Sequence, residues 1–519
     1  MSWEKEIEEL RYREELAQRM GGPDKVKRQH DGGKLTVRER VDQLLDEGSF
    51  HEIGGLAGVA QYHEGGLRGG ELADFTPANL IFGRGRIGGR PVAITGDDFT
   101  VRGGANDGGI RSKLLAVERM ACDLRLPLVR LVDGTGGGGS VKNLELQGHS
   151  PMPKAFLWDW WTDNLSEVPV VSLALGSVAG LGAARVVASH YSVMVKGSSQ
   201  MFVAGPPVVE WTHGKFEKNE LGGSHIHTRN GAVDDEAASE ADAFERARKF
   251  LSYLPNSVHD LAARTACDDD PARADPWLIE AVPRDARKVY NMRRIIAAVV
   301  DRDSFFETGK FWGRSVITSF ARLSGWPVAI MAGDPMHYGG AWTARAAEKI
   351  MRFVDLAQTF HLPVVHLVDC PGFLIGPQAE AEGTIRYGMR AAAAILQSTV
   401  PWCSVIVRKV FGVAGALHQN SSRYGMRMAW PSAEWGSLPI AGGLEAAYRA
   451  EIEAAPDPAA KRTEIEQRIR KFASPMRGAE RFDVEEIIDP RHTRKLLCEF
   501  AELAAPLRTP GRSSFGVRP

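Results

Sequence analysis

Two short stretches rich in glycine and alanine are the residues of this sequence best suited to chemistry. Each follows a run of apolar residues: GSVAGLGAARV begins at Gly176, and RKVFGVAGALH begins at Arg408. A strand that ends in such a stretch and opens a helix presents backbone N–H groups without bulky neighbours, where the helix dipole also favours negative charge. Such a turn can hold an oxyanion or an enolate without a charged side chain. The candidate donor residues are Gly180, Leu181 and Gly182 in the first turn and Gly412, Val413 and Ala414 in the second.

Close packing of a helix on a strand is the alternative explanation for either turn, because packing also selects glycine and alanine. Taken singly, each turn fits that explanation. Two such turns at corresponding places in the chain favour a paired active site instead.

The elements that position these turns come from an internal duplication. The 48 residues from Gly89 align without a gap to those from Gly325 at an offset of 236, with 18 identities. Asp133 thereby corresponds to Asp369, and Lys113 corresponds to Lys349. Chance would give about one identity in twenty, so the alignment indicates a true repeat.

Each copy has the same local pattern. The segment PVAI predicts a short strand, and a polar loop with two glycines follows it. Apolar residues spaced three and four apart then predict a helix, which a Leu-Pro pair ends. A second apolar strand ends in Asp133 or Asp369. Strand, helix and strand at this spacing predict a parallel crossover unit and an α/β fold.

Further apolar runs at 168–175 and 400–407 predict the strands that lead into the two turns. The polar stretch 267–276 contains acidic residues and prolines and is the natural linker. We therefore predict two domains, residues 1–270 and 271–519.

Other motifs are weaker. Residues 134–139 fit the dinucleotide pattern G-x-G-x-x-G, but Pro151 and Pro153 interrupt any following helix, and the duplicate lacks the pattern. The pair His225 and His227 has no acidic or histidine partner at ligand spacing, so we expect a polar loop there and no metal on this chain. No P-loop and no G-x-S-x-G elbow occur.

Composition excludes several classes of protein. The 519 residues carry a formal net charge of −1, so nothing marks a nucleic-acid binder. Five widely spaced cysteines argue against a disulfide framework and favour a reducing compartment. The charged N-terminus resembles no targeting segment, and no apolar run reaches 18 residues. We expect a cytoplasmic protein, in a bacterial cytosol, with no membrane contact.

The sequence resembles the carboxyltransferase (β) subunits of biotin-dependent acyl-CoA carboxylases, the propionyl-CoA and methylcrotonyl-CoA carboxylase family. The resemblance runs from about Gly33 to Thr493. Its landmarks are GKLTVRERVDQLLDEGSF (33–50), DDFTVRGG (97–104), MFVAGP (201–206), FARLSGWPVAI (320–330), LVDCPGFLIG (367–376), WPSAE (430–434) and AERFDVEEIIDP (479–490).

The resemblance implies two duplicated crotonase-like domains of the ClpP/crotonase superfamily. It also implies a homo-hexamer whose active sites lie between the N-terminal domain of one subunit and the C-terminal domain of another. A partner α subunit, with biotin carboxylase and biotin carboxyl carrier functions, would supply carboxybiotin. Carboxybiotin would release CO₂ and take the proton of the acyl-CoA, whose enolate would attack CO₂. The chain has neither the M-K-M biotinylation motif nor a P-loop, so biotin and ATP chemistry must come from that partner.

By motif match, Gly180 and Leu181 would hold the biotin ureido oxygen, and Val413 and Ala414 the thioester oxygen. The resemblance further implies substrate contacts at Gly136, Gly137, Gly182, Gly412, Gly415 and Ala416.

The sequence departs from the family pattern at three places. The family's D-S-G-G-A-R motif is DGTGGG at 133–138, without its arginine. Leu181 stands where a second glycine is common. Ala416 stands where propionyl-CoA enzymes have aspartate, so the second turn looks closer to the methylcrotonyl type.

Two other functions remain open. One is the catalytic subunit of a biotin-dependent acyl-CoA decarboxylase, which shares fold and chemistry but works with a membrane sodium pump. The other is a non-catalytic scaffold of a carboxylase complex, which the altered glycine motifs would suit.

Overall fold

The computed structural model describes residues 2–63, 72–105, 110–134, 144–145, 148–150, 152, 158–285 and 287–514. This part of the chain divides into two compact units. The first holds the residues up to Ser252 and Asn256–His259, and the second holds Tyr253–Pro255 and the residues from Asp260 onward. Each unit is an α/β structure built on one large sheet.

The first unit contains a seven-stranded sheet and two small two-stranded sheets. Its strands are β1 (His51–Glu52), β2 (Gly58–Tyr62), β3 (Leu72–Pro77), β4 (Leu80–Ile87), β5 (Arg90–Asp97), β6 (Leu128–Val132), β7 (Val170–Ala174), β8 (Ser177–Ala179), β9 (Tyr191–Val195), β10 (Gln200–Phe202) and β11 (Asp235–Ala237). The large sheet has the order β1-β4-β5-β6-β7-β9-β11, antiparallel up to β5 and parallel beyond it. The small sheets are β2 with β3 and β8 with β10.

Helices flank these strands. They are α1 (Glu4–Gln18), α2 (Pro23–Asp31), α3 (Val37–Leu44), α4 (Arg111–Asp123), α5 (Trp158–Glu167), α6 (Leu181–Val187), α7 (Pro206–His213), α8 (Lys218–Gly222), α9 (Ser224–Asn230) and α10 (Glu240–Ser252). The predicted polar loop at His225 and His227 is wrong, because both lie in α9. The Nε2 atom of His227 is 2.8 Å from the carbonyl oxygen of Met201.

The second unit repeats the large sheet. Its strands are β12 (Phe306–Thr308), β13 (Val316–Leu323), β14 (Trp326–Gly333), β15 (Val364–Cys370), β16 (Trp402–Phe411), β17 (Met426–Ala429), β18 (Glu434–Gly436) and β19 (Glu486–Ile487). The order is β12-β13-β14-β15-β16-β17-β19, with β18 paired to the end of β16. As in the first unit, the sheet is antiparallel up to β14 and parallel beyond it.

The helices of the second unit are α11 (Met292–Val299), α12 (Ala344–Thr359), α13 (Pro377–Ala381), α14 (Thr384–Gln397), α15 (Gly412–Ala416), α16 (Ile440–Ala447), α17 (Arg449–Glu453), α18 (Pro458–Arg470), α19 (Pro475–Ala479) and α20 (Thr493–Ala504). None of the helices in the described part of the chain is both long enough and apolar enough to span a bilayer.

The duplication is visible in the backbone. The β4–β5 and β13–β14 hairpins have the same bounds after a shift of 236 residues. The loop after each hairpin repeats an unusual conformation: φ is 53° at Arg102 and 51° at Tyr338, and 63° at Gly103 and 61° at Gly339. Positive φ is uncommon for residues with a Cβ, so the two units share a specific turn and not only a strand pattern.

The central parallel strands of both sheets are almost completely buried, and in β16, which leads into the second turn, only Lys409 is partly exposed. Every residue of β6, β7 and β15 is buried, as expected for parallel strands covered on both faces. The predicted strand at 400–407 extends to Phe411, because its end pairs with β18. The first unit forms the same extension as a separate strand, β8, which pairs with β10.

Candidate functional site

In the first unit, three backbone segments meet at the carboxyl ends of β5, β6 and β7. A Cβ added to Gly182 would lie 2.7 Å from the carbonyl oxygen of Gly134, and one added to Gly134 would lie 2.3 Å from that of Gly104. Both distances are too short for a side chain, so glycine is required for the backbone to approach this closely. Close packing therefore explains the glycine at position 182, whether or not its amide also binds a ligand.

The first turn begins at Gly180, which is exposed and has φ 56° and ψ −114°. Its N–H donates to the carbonyl oxygen of Phe202 at 3.1 Å. That bond occupies the Gly180 amide, which the sequence had suggested as a donor to ligand. Helix α6 then starts at Leu181, and the first N–H groups of a helix have no intrahelical acceptor. The donors that remain at this turn are the amides of Leu181 and Gly182.

The second turn follows β16 directly. Gly412 has φ 60°, close to the value at Gly180, and opens the five-residue helix α15. The Val413 side chain is 55% exposed, whereas that of Ala414 is 1% exposed. A Cβ added to Gly415 would lie 2.8 Å from the carbonyl carbon of Val410, so Gly415 has the packing role of Gly182. Ala416 is exposed.

The same kind of anchor holds the chain a few residues after each turn. In the first unit, Ser172 Oγ and Arg130 Nη1 donate to the carbonyl oxygen of Arg185 at 3.1 and 3.3 Å. In the second unit, Ser404 Oγ lies 2.6 Å and His366 Nδ1 lies 3.1 Å from the carbonyl oxygen of His418. Burial lowers the pKa of His366 to about 3, so its ring is neutral and Nδ1–H is the donor.

These anchors reveal a difference of one residue between the turns. The positive-φ glycines, Gly180 and Gly412, correspond at an offset of 232, whereas the packed glycines, Gly182 and Gly415, correspond at 233. The second turn is one residue longer and places Val413 and Ala414 between its two glycines, where the first turn has only Leu181.

Residues 28–510 match the carboxyl transferase domain family. The chain belongs to the carboxyl transferase family.

Several known carboxyltransferases are similar to it over nearly their whole length. The carboxyltransferase subunit of propionyl-CoA carboxylase from Haloferax mediterranei is 34% identical over 504 residues, which cover 96% of this chain and 95% of that one. The 12S subunit of methylmalonyl-CoA carboxyltransferase from Propionibacterium freudenreichii subsp. shermanii is 32% identical and is covered to 94%, with 97% of this chain.

Among solved structures, transcarboxylase 12S, crystallised with methylmalonyl-coenzyme A and methylmalonic acid bound, superposes with a TM-score of 0.86 at 30% identity. The match covers 99% of this chain and 98% of that one. A single-chain, multi-domain long-chain acyl-CoA carboxylase gives a TM-score of 0.80 at 26% identity over 95% of this chain and 48% of that one. The prediction of a carboxyltransferase built from two duplicated crotonase-like domains is confirmed.

Sequence reasoning missed the buried charges beneath the turns of this carboxyltransferase. Asp133, at the end of β6, accepts hydrogen bonds from Arg40 Nη1 at 2.9 Å and Lys34 Nζ at 3.0 Å. Asp369, at the end of β15, accepts one from the Tyr290 hydroxyl at 2.8 Å and one from Arg408 Nε at 3.2 Å. The only signal in the sequence was that these two aspartates align across the duplication.

Burial raises the pKa of Asp369 and that of Tyr290. The Asp369 carboxylate also accepts the N–H of Lys409 at 3.2 Å, so it helps to position the strand that leads into the second turn. Gly136 and Gly137 lie outside the described residues of this carboxyltransferase. Among the described residues, no three His, Cys, Asp or Glu side chains converge as a metal site.

Proposed function

We propose that this carboxyltransferase moves a carboxyl group from carboxybiotin, carried by a partner chain, to an acyl-CoA. The observation that carries the proposal is that the family match extends over both glycine turns and both halves of the duplication. The names of its relatives support an acyl-CoA as acceptor, since they include propionyl-CoA carboxylase β chains. The methylmalonyl-CoA bound to the similar transcarboxylase supports the same class of substrate.

Each half of the chain would bind one of the two substrates. Residues 1–270 would form the biotin side, where Gly180 shapes the first turn and the amides of Leu181 and Gly182 hold the ureido oxygen. Residues 271–519 would form the acyl-CoA side, where the amides of Val413 and Ala414 hold the thioester oxygen. Gly412, Gly415 and Ala416 would line the same ligand, and Gly136 and Gly137 would contribute on the biotin side.

Backbone donors suit this reaction because negative charge develops on an oxygen at both turns. The carried biotin supplies CO₂ and the base, so the chain itself needs no acid or base of its own. Its contribution is N–H groups held in place before the charge appears, which need not reorganise during the reaction. Both turns fit such oxygens, because each opens a helix whose first amides have no intrahelical acceptor.

The complete enzyme would require other copies and another chain. We propose a hexamer in which each site combines the N-terminal half of one copy with the C-terminal half of another. The similar transcarboxylase 12S is described as a hexamer. A partner with biotin carboxylase and biotin carrier activities would charge the biotin.

The test is reconstitution with the partner that co-purifies. The chain with a biotin carboxylase partner should fix ¹⁴C-bicarbonate onto at least one of a panel of acyl-CoAs, propionyl-CoA and methylcrotonyl-CoA included. The chain alone should fix none with ATP and acyl-CoA. ATP-dependent fixation by the chain alone would contradict the proposal. Co-purification of membrane subunits would favour the decarboxylase, and a complex that forms but never turns over would favour the scaffold.

A further inference from the structure

Several arginines of this protein hold both oxygens of one carboxylate through the edge formed by Nε and Nη2, and four of them do so with a glutamate. The partners of Arg40, Arg130, Arg293 and Arg427 are Glu240, Glu118, Glu307 and Glu485, at distances between 2.6 and 3.2 Å. Such two-point pairing matches the planar guanidinium to the planar carboxylate. Arg40 and Arg130 are the two of these four that are completely buried, and both have this Nε/Nη2 edge filled by a carboxylate.

Two of these arginines also bind a second carboxylate through Nη1. Arg40 Nη1 is 2.9 Å from Asp133, and Arg293 Nη1 is 2.6 Å from Asp334. A guanidinium between two carboxylates is thus a stable arrangement in both units.

Arg185 has only half of that arrangement. Its side chain is 2% exposed, and its Nη1 donates to Asp97 Oδ1 at 2.8 Å. Its Nε and Nη2 are also buried, and within the described part of the chain neither has an acceptor. Burying charged donors without an acceptor costs free energy, so the Nε and Nη2 atoms of Arg185 are candidates for binding a ligand.

The Nε/Nη2 edge of Arg185 lies close to the first turn. Arg185 lies in α6, the helix that Leu181 opens. Its partner Asp97 is the last residue of β5, and the other Asp97 oxygen accepts the N–H of Asp133 at 3.2 Å. The guanidinium therefore lies at the carboxyl ends of β5 and β6, the edge at which Gly134 contacts Gly182.

We propose that the Nε/Nη2 edge of Arg185 binds a substrate carboxylate. The inference rests on the proposed function, which brings a carboxyl group to this edge of the sheet. The ligand is a planar group with two oxygens and one negative charge, and it completes the pattern seen at Arg40 and Arg293. It has two possible sources: the new carboxylate of the carboxylated acyl-CoA, or the one-carbon carboxyl group before transfer.

Titration calorimetry on the full-length protein tests the first source. Malonyl-CoA should bind more tightly than acetyl-CoA, which lacks only the carboxylate. In Arg185→Lys the charge remains but the two-point edge is lost, and the preference for malonyl-CoA should fall about 10- to 100-fold. Arg427→Lys, the same change at an edge that Glu485 already fills, should keep the wild-type preference.

Line broadening of ¹³C-bicarbonate in NMR spectra tests the second source. Broadening by the wild type that Arg185→Lys loses, with unchanged binding of malonyl-CoA, would assign the one-carbon group to Arg185. If Arg185→Lys changes neither ligand, the proposal is overturned. Failure of both thioesters to bind the wild type would count against the proposed function itself, and the bicarbonate measurement then decides the role of Arg185.

A double variant serves as a control for misfolding caused by an unpaired buried charge. Arg185→Met with Asp97→Asn removes both members of the buried pair and leaves no unpaired charge, so the protein should still fold. It should show the same loss of carboxylate binding as Arg185→Lys. A folded double variant that keeps wild-type preference for malonyl-CoA and wild-type bicarbonate broadening would also overturn the proposal.

Discussion

Single residues at the two turns differ in what they leave available to a substrate. The Gly180 amide is taken by Phe202, so the first turn offers its donors from Leu181 onward. At the second turn, Ala414 combines a buried methyl group with an amide in the first turn of its helix. A substitution at Ala414 can therefore separate the effect of the N–H group from the effect of the side chain.

Replacing Ala414 by proline should abolish most turnover. Proline removes one backbone donor, and loss of one oxyanion-hole donor costs about 10²–10³ in kcat. Ala414→Gly keeps the N–H and should retain most activity, although it loses a buried methyl and costs about 1 kcal/mol of stability. Carboxylation by the reconstituted complex is the measurement, with oligomeric state and melting temperature as controls for folding. A well-folded Ala414→Pro enzyme with near-normal turnover would exclude this amide as a donor.

Gly182→Ala should displace the first turn. The new Cβ would lie 2.7 Å from the Gly134 carbonyl oxygen, a backbone atom that cannot rotate away. Overpacking of this kind costs about 1–3 kcal/mol, and a misplacement of about 1 Å at reacting groups can cost about 10²-fold in rate. Thermal unfolding and the carboxylation rate measure the two effects.

Gly443→Ala is the matched control for that variant. Gly443 lies in helix α16, and a Cβ added there meets nothing within 4 Å. Alanine is the better helix former, so stability should stay the same or rise by up to about 1 kcal/mol, with activity unchanged. If Gly182→Ala behaved like Gly443→Ala, the close packing at the first turn would have no functional role.

The secondary-structure elements of the two units are more alike than the surroundings of the side chains that they carry. Lys113 in α4 and Lys349 in α12 occupy equivalent positions, and each packs its stem on a glycine with positive φ, Gly54 or Gly309. Lys349 Nζ donates to three carbonyl oxygens at 2.8–3.1 Å. Lys113 is buried beside Glu52 and Arg38 instead, and burial lowers its pKa to about 8.

Lys113 should therefore make stability depend on pH. The pKa is about 8 in the folded protein and 10.5 for an ordinary lysine, so the unfolded chain binds more protons between these values. The free energy of unfolding should rise with pH across this window, by up to about 3 kcal/mol. Below pH 8 the full cost of burying the charge is present. Denaturant unfolding from pH 7.5 to 10.5 measures the effect as the difference between wild type and Lys113→Met, and a constant difference would contradict it.

The whole molecule exposes apolar side chains that an assembly would cover. On α7 the side chains of Val208 and Trp211 are 63% and 89% exposed, and no residue of that helix is buried. On α14 the side chains of Ile385, Met389 and Leu396 are 58%, 51% and 46% exposed. Their spacing places them along one face of that helix. Apolar helix faces of this kind are typical of subunit contacts.

The protein should form a hexamer of about 340 kDa, six times the chain mass of 56.7 kDa. Met389→Glu places a charge on the exposed apolar face of α14 and should weaken the assembly, whereas Gln397→Glu adds the same charge at a position that is already polar. Light scattering at micromolar concentration measures the mass. A wild-type monomer under these conditions would contradict the model of sites shared between copies.

The sequence by itself determined the duplication, the strand–helix–strand order of each half, the α/β class and the two glycine turns. These features are local or repeated, so spacing and residue type reveal them without knowledge of distant contacts. The aligned segments from Gly89 and Gly325 predict the shared β5 and β14 hairpin strands for that reason. The family motifs lie in the same segments, so they also indicated the function.

Only the tertiary structure decided which donors and charges work together. Arg40 and Asp133 are 93 residues apart, and Arg185 and Asp97 are 88 apart, yet each pair is buried and in direct contact. Nothing in the sequence separates these residues from its many exposed basic and acidic side chains, because burial of a charge depends on partners from distant elements. The Gly180 amide is likewise taken by Phe202, which another strand supplies. The same long-range packing buries Arg185 with one nitrogen paired to Asp97 and with Nε and Nη2 unpaired.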